Sequence, residues 1–108
     1  MKFLTKLEEL VLIAVLRLRD DAYGITIFNY ICKLTGKDIT VSNIYFPLER
    51  LVKKGYLYTL KGEPTPKRGG MSKRYYRLTK SGILVLQENR DLNETAWKGI
   101  TELLKYSE

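Results

Sequence analysis

Histidine is missing from this 108-residue sequence, and cysteine and tryptophan occur once each. Without histidine there is no imidazole for general acid–base catalysis or metal binding. The single thiol, Cys32, can form neither an internal disulfide nor a thiolate zinc site, and one free cysteine suits a reducing compartment. The glycine motifs that bind nucleotide phosphates are also missing. The sequence therefore predicts a protein that is not an enzyme and has no metal or cofactor.

Long hydrophobic runs are missing as well. The longest run, from Leu10 to Leu16, is far too short to cross a bilayer. The N-terminal residues also lack the basic and then apolar pattern of a secretory signal peptide. We therefore expect a cytoplasmic protein with no membrane partner.

Acidic residues are nearly absent from residues 50–80, where ten lysine and arginine residues accompany one acid, Glu63. This segment carries +9 while the whole chain carries +7, which leaves −2 for all other residues. Positive charge concentrated in one segment is typical of a protein that binds a polyanion. A solvated loop with spare lysines is the alternative interpretation.

Hydrophobic spacing predicts three successive helices in the first half of the chain. The first covers about residues 5–19, and Thr5 followed by Glu8 fits a capping box. The second begins soon after Asp20 and Asp21, either of which could cap it. Apolar residues surround nearly the whole first helix. It therefore needs cover on several faces, and a partner subunit is one candidate for that cover.

The third predicted helix, which Thr40 can cap and which ends at Gly55, has two unlike faces. Ile44, Leu48 and Leu51 repeat at i, i+4 and i+7, which predicts an inward apolar stripe. The opposite face is polar and becomes basic towards its C-terminal end. That face carries Ser42, Phe46, Glu49, Arg50 and Lys53, with Asn43 and Tyr45 on its flanks.

A hairpin and a last helix follow. Residues 56–61 and 73–78 are rich in strand formers, and the two prolines and three glycines between them exclude regular structure there. Thr79 can cap a final helix. Its polar stretch at 87–91 fits one long helix or two helices, and we favour one because residues 83–98 contain no proline or glycine. The order predicts a mostly α fold with a two-stranded wing (α+β), a winged helix-turn-helix.

Several motifs in this order resemble those of the PadR-like family of winged helix-turn-helix transcriptional regulators. They are Tyr23-Gly24, Ser42-Asn43-Ile44-Tyr45, Leu48-Glu49-Arg50-Leu51, Lys54-Gly55-Tyr56-Leu57, Gly69-Gly70 and the run from Lys73 to Gly82. The resemblance covers essentially the whole chain and is most specific from Tyr75 to Gly82. It implies a DNA-binding domain over residues 1–79 and a C-terminal dimerisation helix over 80–108, within one compact unit.

The function that the resemblance implies is sequence-specific binding of double-stranded DNA by a homodimer that represses transcription. Some members of the family respond to small aromatic compounds, so an aromatic effector is implied as well. One residue departs from the pattern: Pro47 lies inside the third helix, whereas family members often have proline one place earlier. Because proline lacks an N–H, Pro47 predicts either a kink or a separate turn before it.

Candidate DNA contacts lie on the third helix and the wing. The N-terminal end of such a helix reads base edges in the major groove, while cations elsewhere contact phosphates. Tyr45 could bind a phosphate or pack in the core, and Phe46 could touch a thymine methyl group or fold against the wing. The candidates are Ser42, Asn43, Tyr45, Phe46, Arg50, Lys53, Lys54, Lys67, Arg68, Lys73 and Arg74.

The last helix carries the candidate dimer interface. Trp97, Ile100 and Leu104 would form an apolar surface that a monomer rarely leaves exposed. Two facing Trp97 side chains could form a dry interface, or they could hold a flat aromatic ligand with Asn93 as a polar contact.

Two other functions fit a winged helix. A protein–protein adaptor is the main alternative to a DNA-binding regulator, but an adaptor does not need +9 over residues 50–80. An RNA-binding winged helix is disfavoured only by the family resemblance.

Overall fold

The predicted order of elements is confirmed by a computed structural model, which describes residues 3–62 and 73–107. The helices are α1 (Lys6–Leu18), α2 (Gly24–Thr35), α3 (Ser42–Lys53), α4 (Lys80–Trp97) and α5 (Ile100–Lys105), with a short 3₁₀ turn at Arg19–Asp21. The strands β1 (Leu57–Lys61) and β2 (Arg74–Leu78) pair antiparallel, with Leu57 opposite Leu78 and Lys61 opposite Arg74. The fold is therefore a winged helix-turn-helix in which the hairpin is the wing.

Local sequence signals set the ends of several helices. The predicted capping box begins α1, because Thr5 Oγ1 accepts from Glu8 N at 3.1 Å and Glu8 Oε1 accepts from Thr5 N at 2.9 Å. Thr79 caps α4 by accepting from Gly82 N at 3.0 Å. Gly36, at φ 68°, follows the end of α2 in the left-handed conformation that favours glycine.

The cap of α2 differs from the prediction. The N-cap residue is Tyr23, whose N–H donates to Thr26 Oγ1 at 3.0 Å. Neither Asp20 nor Asp21 caps this helix, because the 3₁₀ turn places both of them before the N-cap. Asp20 pairs instead with Arg77 of β2.

The core lies where the three N-terminal helices meet the wing and the start of α4. The predicted inward stripe of α3 is confirmed, since Ile44, Leu48 and Leu51 are fully buried. The other buried apolar side chains are Val11, Leu12, Ala14, Val15, Ala22, Ile27, Ile31, Tyr56, Leu57, Tyr76 and Val85. Burial of the stripe fixes the rotation of α3 about its own axis and turns its polar face outward.

Pro47 does not divide α3. The helix continues from Ser42 to Lys53, and Pro47 is buried within it. The alternative of a separate turn before Pro47 is therefore wrong, because residues 42–46 belong to the same helix. Proline offers no N–H to the carbonyl of Asn43, so one intrahelical hydrogen bond is lost while the ring contributes to the buried face.

The C-terminal region contains two helices, where one was expected. As predicted, α4 continues through the polar stretch 87–91, but it ends at Trp97. Gly99 has φ 80° and is the N-cap of α5. A single helix to the end of the chain was wrong because Gly99, just past the glycine-free stretch, adopts a conformation that stops a helix.

The start of α4 is fixed tightly to the base of the wing. A Cβ atom on Gly82 would lie 2.1 Å from Tyr56 O, so only glycine permits this approach. Thr79 Oγ1 also donates to Gly55 O at 2.6 Å. Within the described residues, no helix combines the length and apolar character needed to cross a bilayer.

Candidate nucleic-acid interface

α3 presents a polar face to solvent. Ser42, Glu49 and Lys53 are all exposed on it. Phe46 is 65% exposed, so its ring presents a large apolar surface to solvent among polar neighbours. This face can therefore offer charged, polar and apolar contacts to a partner.

The N-terminal end of α3 is tied together by its own side chains. Its N-cap residue is Val41, not Thr40 as predicted. Asn43 Oδ1 accepts from Thr40 N at 3.0 Å and from Thr40 Oγ1 at 2.9 Å, and that hydroxyl also lies 2.9 Å from Ser42 Oγ. The side chain of Asn43, one of the candidate DNA contacts, is thus held in place by the residue that precedes the N-cap of its helix.

Tyr45 joins α3 to the start of α2. Its ring lies over Gly24, where an added Cβ would meet Tyr45 Oη at 2.2 Å. Tyr45 is still 40% exposed. One side of the Tyr45 ring therefore packs against α2, while the rest of the side chain is accessible to a partner.

The start of β2, at the loop end of the wing, is attached to the helix-turn-helix through aromatic and charged contacts. The Tyr23 and Tyr75 rings meet edge to face with centroids 5.6 Å apart, and Lys73 Nζ lies 4.2 Å from the Tyr23 centroid. Arg74 Nη1 lies 3.3 Å from Glu49 Oε1 of α3. These contacts surround a cleft of about 250 Å³ between α2, α3 and β2.

Two candidate phosphate-binding cations are paired with a buried acid. Lys54 Nζ lies 3.0 Å and Arg50 Nε 3.5 Å from Glu8 Oε2, and Glu8 is 1% exposed. Burial alone would raise the pKa of Glu8. The hydrogen bond from Thr5 N–H and the Lys54 ammonium outweigh burial and lower the pKa below its ordinary value of 4.5. The carboxylate is therefore ionised at neutral pH.

Glu8, Arg50 and Lys54 together form what we call the Glu8 cluster. Because of this cluster, the orientation of Arg50 differs from the one predicted by helical spacing. The helical spacing placed Arg50 on the outward face, but its guanidinium reaches sideways to α1. The sequence pattern identifies Glu8 only as part of a capping box. No sequence signal connects it to Lys54, which is 46 residues further along the chain.

The predicted contacts therefore fall into three groups. Ser42, Asn43, Tyr45, Phe46 and Lys53 lie together on α3, while Lys73 and Arg74 lie beside this helix at the start of β2. Arg50 and Lys54 lie at the side, on Glu8. Lys67 and Arg68 lie outside the described residues.

A second surface lies between α1 and α4. Leu16, Ile83 and Leu86 line a groove of about 460 Å³ whose rim is polar. Asn93 Nδ2 donates to Glu9 Oε2 at 2.8 Å along this rim, so Asn93 already has a partner within the chain.

The candidate interface residues at the end of the chain are accessible. Trp97 is 61% and Leu104 54% exposed, and Ile100 is half-buried. These side chains lie on α4 and α5, on either side of Gly99. Among the described residues, no three His, Cys, Asp or Glu side chains are grouped so that they could bind a metal ion.

The sequence pattern of the PadR-like family of transcriptional regulators matches residues 12–88. The chain belongs to that family. The matched region includes α2, α3 and the whole wing, so this PadR-like protein carries its candidate interface inside the part that defines the family. No curated protein matches the sequence significantly.

Solved structures of other regulators share the fold of this PadR-like protein. A PadR-like transcriptional regulator from Bacillus cereus is 20% identical, with a TM-score of 0.74 over 91% of this chain and 90% of its own. A transcriptional regulator from Clostridium thermocellum is 24% identical, with a TM-score of 0.72 over 93% and 97%. A PadR family regulator from Eggerthella lenta is 27% identical, with a TM-score of 0.69 over 88% and 80%.

Proposed function

We propose that this protein is a homodimeric repressor that binds specific sites in double-stranded DNA. The proposal rests chiefly on the outward face of α3, which lies beside Lys73 and Arg74 at the start of β2. The segment from residue 50 to residue 80, which includes the end of α3 and the whole wing, has a charge of +9. Family membership supports it, and a role on chromosomal DNA implies a cytoplasmic location.

In this proposal, the N-terminal half of α3 recognises the DNA sequence, and the cations around it bind the DNA backbone. The N-terminal half of α3 enters the major groove, where Asn43 donates to a base edge and Phe46 contacts a thymine methyl group. Lys53, Lys73 and Arg74 bind phosphates and supply affinity that does not depend on sequence.

The proposed dimer involves the C-terminal helices, with residues 1–79 as the DNA-binding part and 80–108 as the dimerisation part. Exposed apolar side chains continue along α1, α4 and α5, among them Leu16 at 55% and Leu84 at 55% exposure. Monomeric proteins rarely leave so much apolar surface in contact with water. A second copy of the chain is the proposed occupant, and the interface includes Trp97, Ile100 and Leu104.

A small aromatic effector is the finer part of the proposal. Trp97 offers a flat ring that is 61% exposed in the single chain. In a dimer, two such rings could enclose a planar ligand. Binding of the ligand would then shift the distance between the two α3 helices. The bound ligand would change DNA affinity to the extent that it binds more tightly to dimers with one distance between the two α3 helices than to dimers with another.

The DNA-binding proposal predicts that selection from random duplexes recovers a pseudo-palindrome with half-sites about 10 bp apart or a multiple of this. Lys53→Gln should weaken binding to every duplex and reduce the salt slope by about one, because it removes one phosphate contact. Asn43→Ala should instead reduce discrimination between sites by about 1–3 kcal/mol. Titrations by fluorescence anisotropy at several salt concentrations measure both effects.

Lys105→Gln, on α5, is the matched control for charge and should leave the salt slope unchanged. Recovery of no enriched motif together with a flat salt response would contradict DNA binding. Capture of single-stranded RNA in preference to duplex DNA, or of a protein with no nucleic acid bound, would favour the two alternative functions.

The dimer proposal predicts sedimentation at twice the 12.6 kDa chain mass. Leu16→Lys should shift the protein towards the monomer, because it places a charge in the apolar groove between α1 and α4. Leu34→Lys is the control, since Leu34 on α2 is 53% exposed against 55% for Leu16. Wild-type protein that sediments only as a 12.6 kDa species at micromolar concentration would rule out this dimer.

The effector proposal predicts that planar aromatic compounds quench the fluorescence of Trp97 saturably and change operator affinity over the same concentration range. Trp97→Leu should abolish the effect of the compound on operator binding while the dimer persists. If a broad panel of such compounds leaves the fluorescence unchanged, and Trp97→Leu only weakens dimerisation, Trp97 is an interface residue without a ligand.

A further inference from the structure

Glu8 lies outside the proposed DNA contacts, but its carboxylate is paired with two of the candidate phosphate-binding cations. It is the only carboxylate that the structure places on both Arg50 and Lys54, within the described residues. The two cations are half exposed, at 49% and 46% of their side-chain surface, while the Glu8 side chain is 2% exposed. The cluster therefore has a net charge of +1 at the surface, although two cations stand there.

We propose that Glu8 is a positioning residue that raises DNA specificity, because it withholds Arg50 and Lys54 from sequence-independent phosphate contacts. This inference rests on the proposed function, since it concerns how the same protein distinguishes an operator from other DNA.

Glu8 can keep Arg50 and Lys54 away from DNA phosphates because its carboxylate is buried. A buried carboxylate that loses its partners is left uncompensated in a poorly solvated site, which is strongly unfavourable. Glu8 cannot turn towards water, because its other oxygen accepts from Thr5 N in the capping box of α1. A DNA phosphate must therefore compete with Glu8 for these cations.

The competition affects non-specific and specific complexes unequally. Non-specific affinity depends on how many phosphates the protein neutralises, so freely moving cations increase it on any sequence. In the specific complex the phosphates occupy fixed positions relative to the protein. Cations that Glu8 already holds in one orientation therefore gain fewer new phosphate contacts there when they are released. Release of the cations should therefore strengthen non-specific binding more than operator binding.

Two adjacent lysines allow a direct comparison. Lys53 lies on the outward face of α3 and has no ion pair within the described part of the chain, whereas Lys54 is held by Glu8. Replacement of either lysine by glutamine changes the net charge equally. The two lysines also differ in position, so the effect of Glu8 is isolated by measuring each variant with and without the Glu8 charge.

The experiment measures binding of the full chain to a non-specific duplex and to the selected operator across a series of salt concentrations. Glu8→Gln is the main variant, because glutamine still fits the capping box while it removes the charge. Glu88→Gln on α4 is the control for net charge. The Lys53→Gln and Lys54→Gln variants are measured in both the wild-type and the Glu8→Gln backgrounds.

We expect Glu8→Gln to raise non-specific affinity severalfold, to steepen the salt slope by about one, and to lower the ratio of operator to non-specific affinity. Glu88→Gln should change none of these. Lys54→Gln should reduce the slope much less than Lys53→Gln in the wild type, and as much as Lys53→Gln once Glu8 is neutralised. A role limited to stability would not produce this dependence on background.

The inference is overturned if Glu8→Gln leaves non-specific affinity, slope and ratio equal to those of Glu88→Gln, or lowers non-specific affinity. Should Glu8→Gln fail to fold by circular dichroism, equal slope losses from Lys53→Gln and Lys54→Gln in the wild type overturn it instead. Wild-type protein with no salt-dependent DNA binding would refute the proposed function itself, which is a separate result.

Discussion

The burial of three side chains on α3 determines what the rest of the molecule can do. Ile44, Leu48 and Leu51 are fully buried against the core, and a helix with one stripe fixed inward has no freedom left about its axis. The exposed positions of α3 are consequently set by the core. Pro47 strengthens this arrangement, because its ring is buried on the inward side at the cost of one hydrogen bond.

The first helix serves two surfaces at once. Its inner side supplies Val11 and Leu12 to the core, and its outer side supplies Leu16 to the groove with α4. Between them, Glu8 joins its N-terminal turn to Lys54 just past the end of α3. α1 therefore contacts both the groove of the proposed dimer surface and the C-terminal end of α3.

Much of the fold could be predicted because its signals are local. Thr5 and Glu8 are three residues apart, Thr79 and Gly82 are three apart, and the α3 stripe repeats at helical spacing, so each is visible in a short window of sequence. The failures also have local causes. Asp20 was expected to cap α2, but a 3₁₀ turn that the sequence pattern did not reveal moved it away from the helix.

The candidate site was less predictable, because its geometry depends on residues that are far apart in the sequence. The cluster of Lys54 with Glu8 spans 46 residues, and the contact of Arg74 with Glu49 spans 25. Helical spacing gives the angle of Arg50 on α3, but it does not say which neighbouring helix holds a partner. Charge composition indicated a polyanion-binding segment without indicating which of its cations were already paired.

Amide chemical-shift mapping can show whether DNA contacts the outward face of α3 and the start of β2. Isotope-labelled protein would be titrated with the selected operator duplex. We expect the largest shift changes in residues 42–53 and at Lys73 and Arg74. Changes concentrated on the groove between α1 and α4, with α3 unaffected, would contradict it.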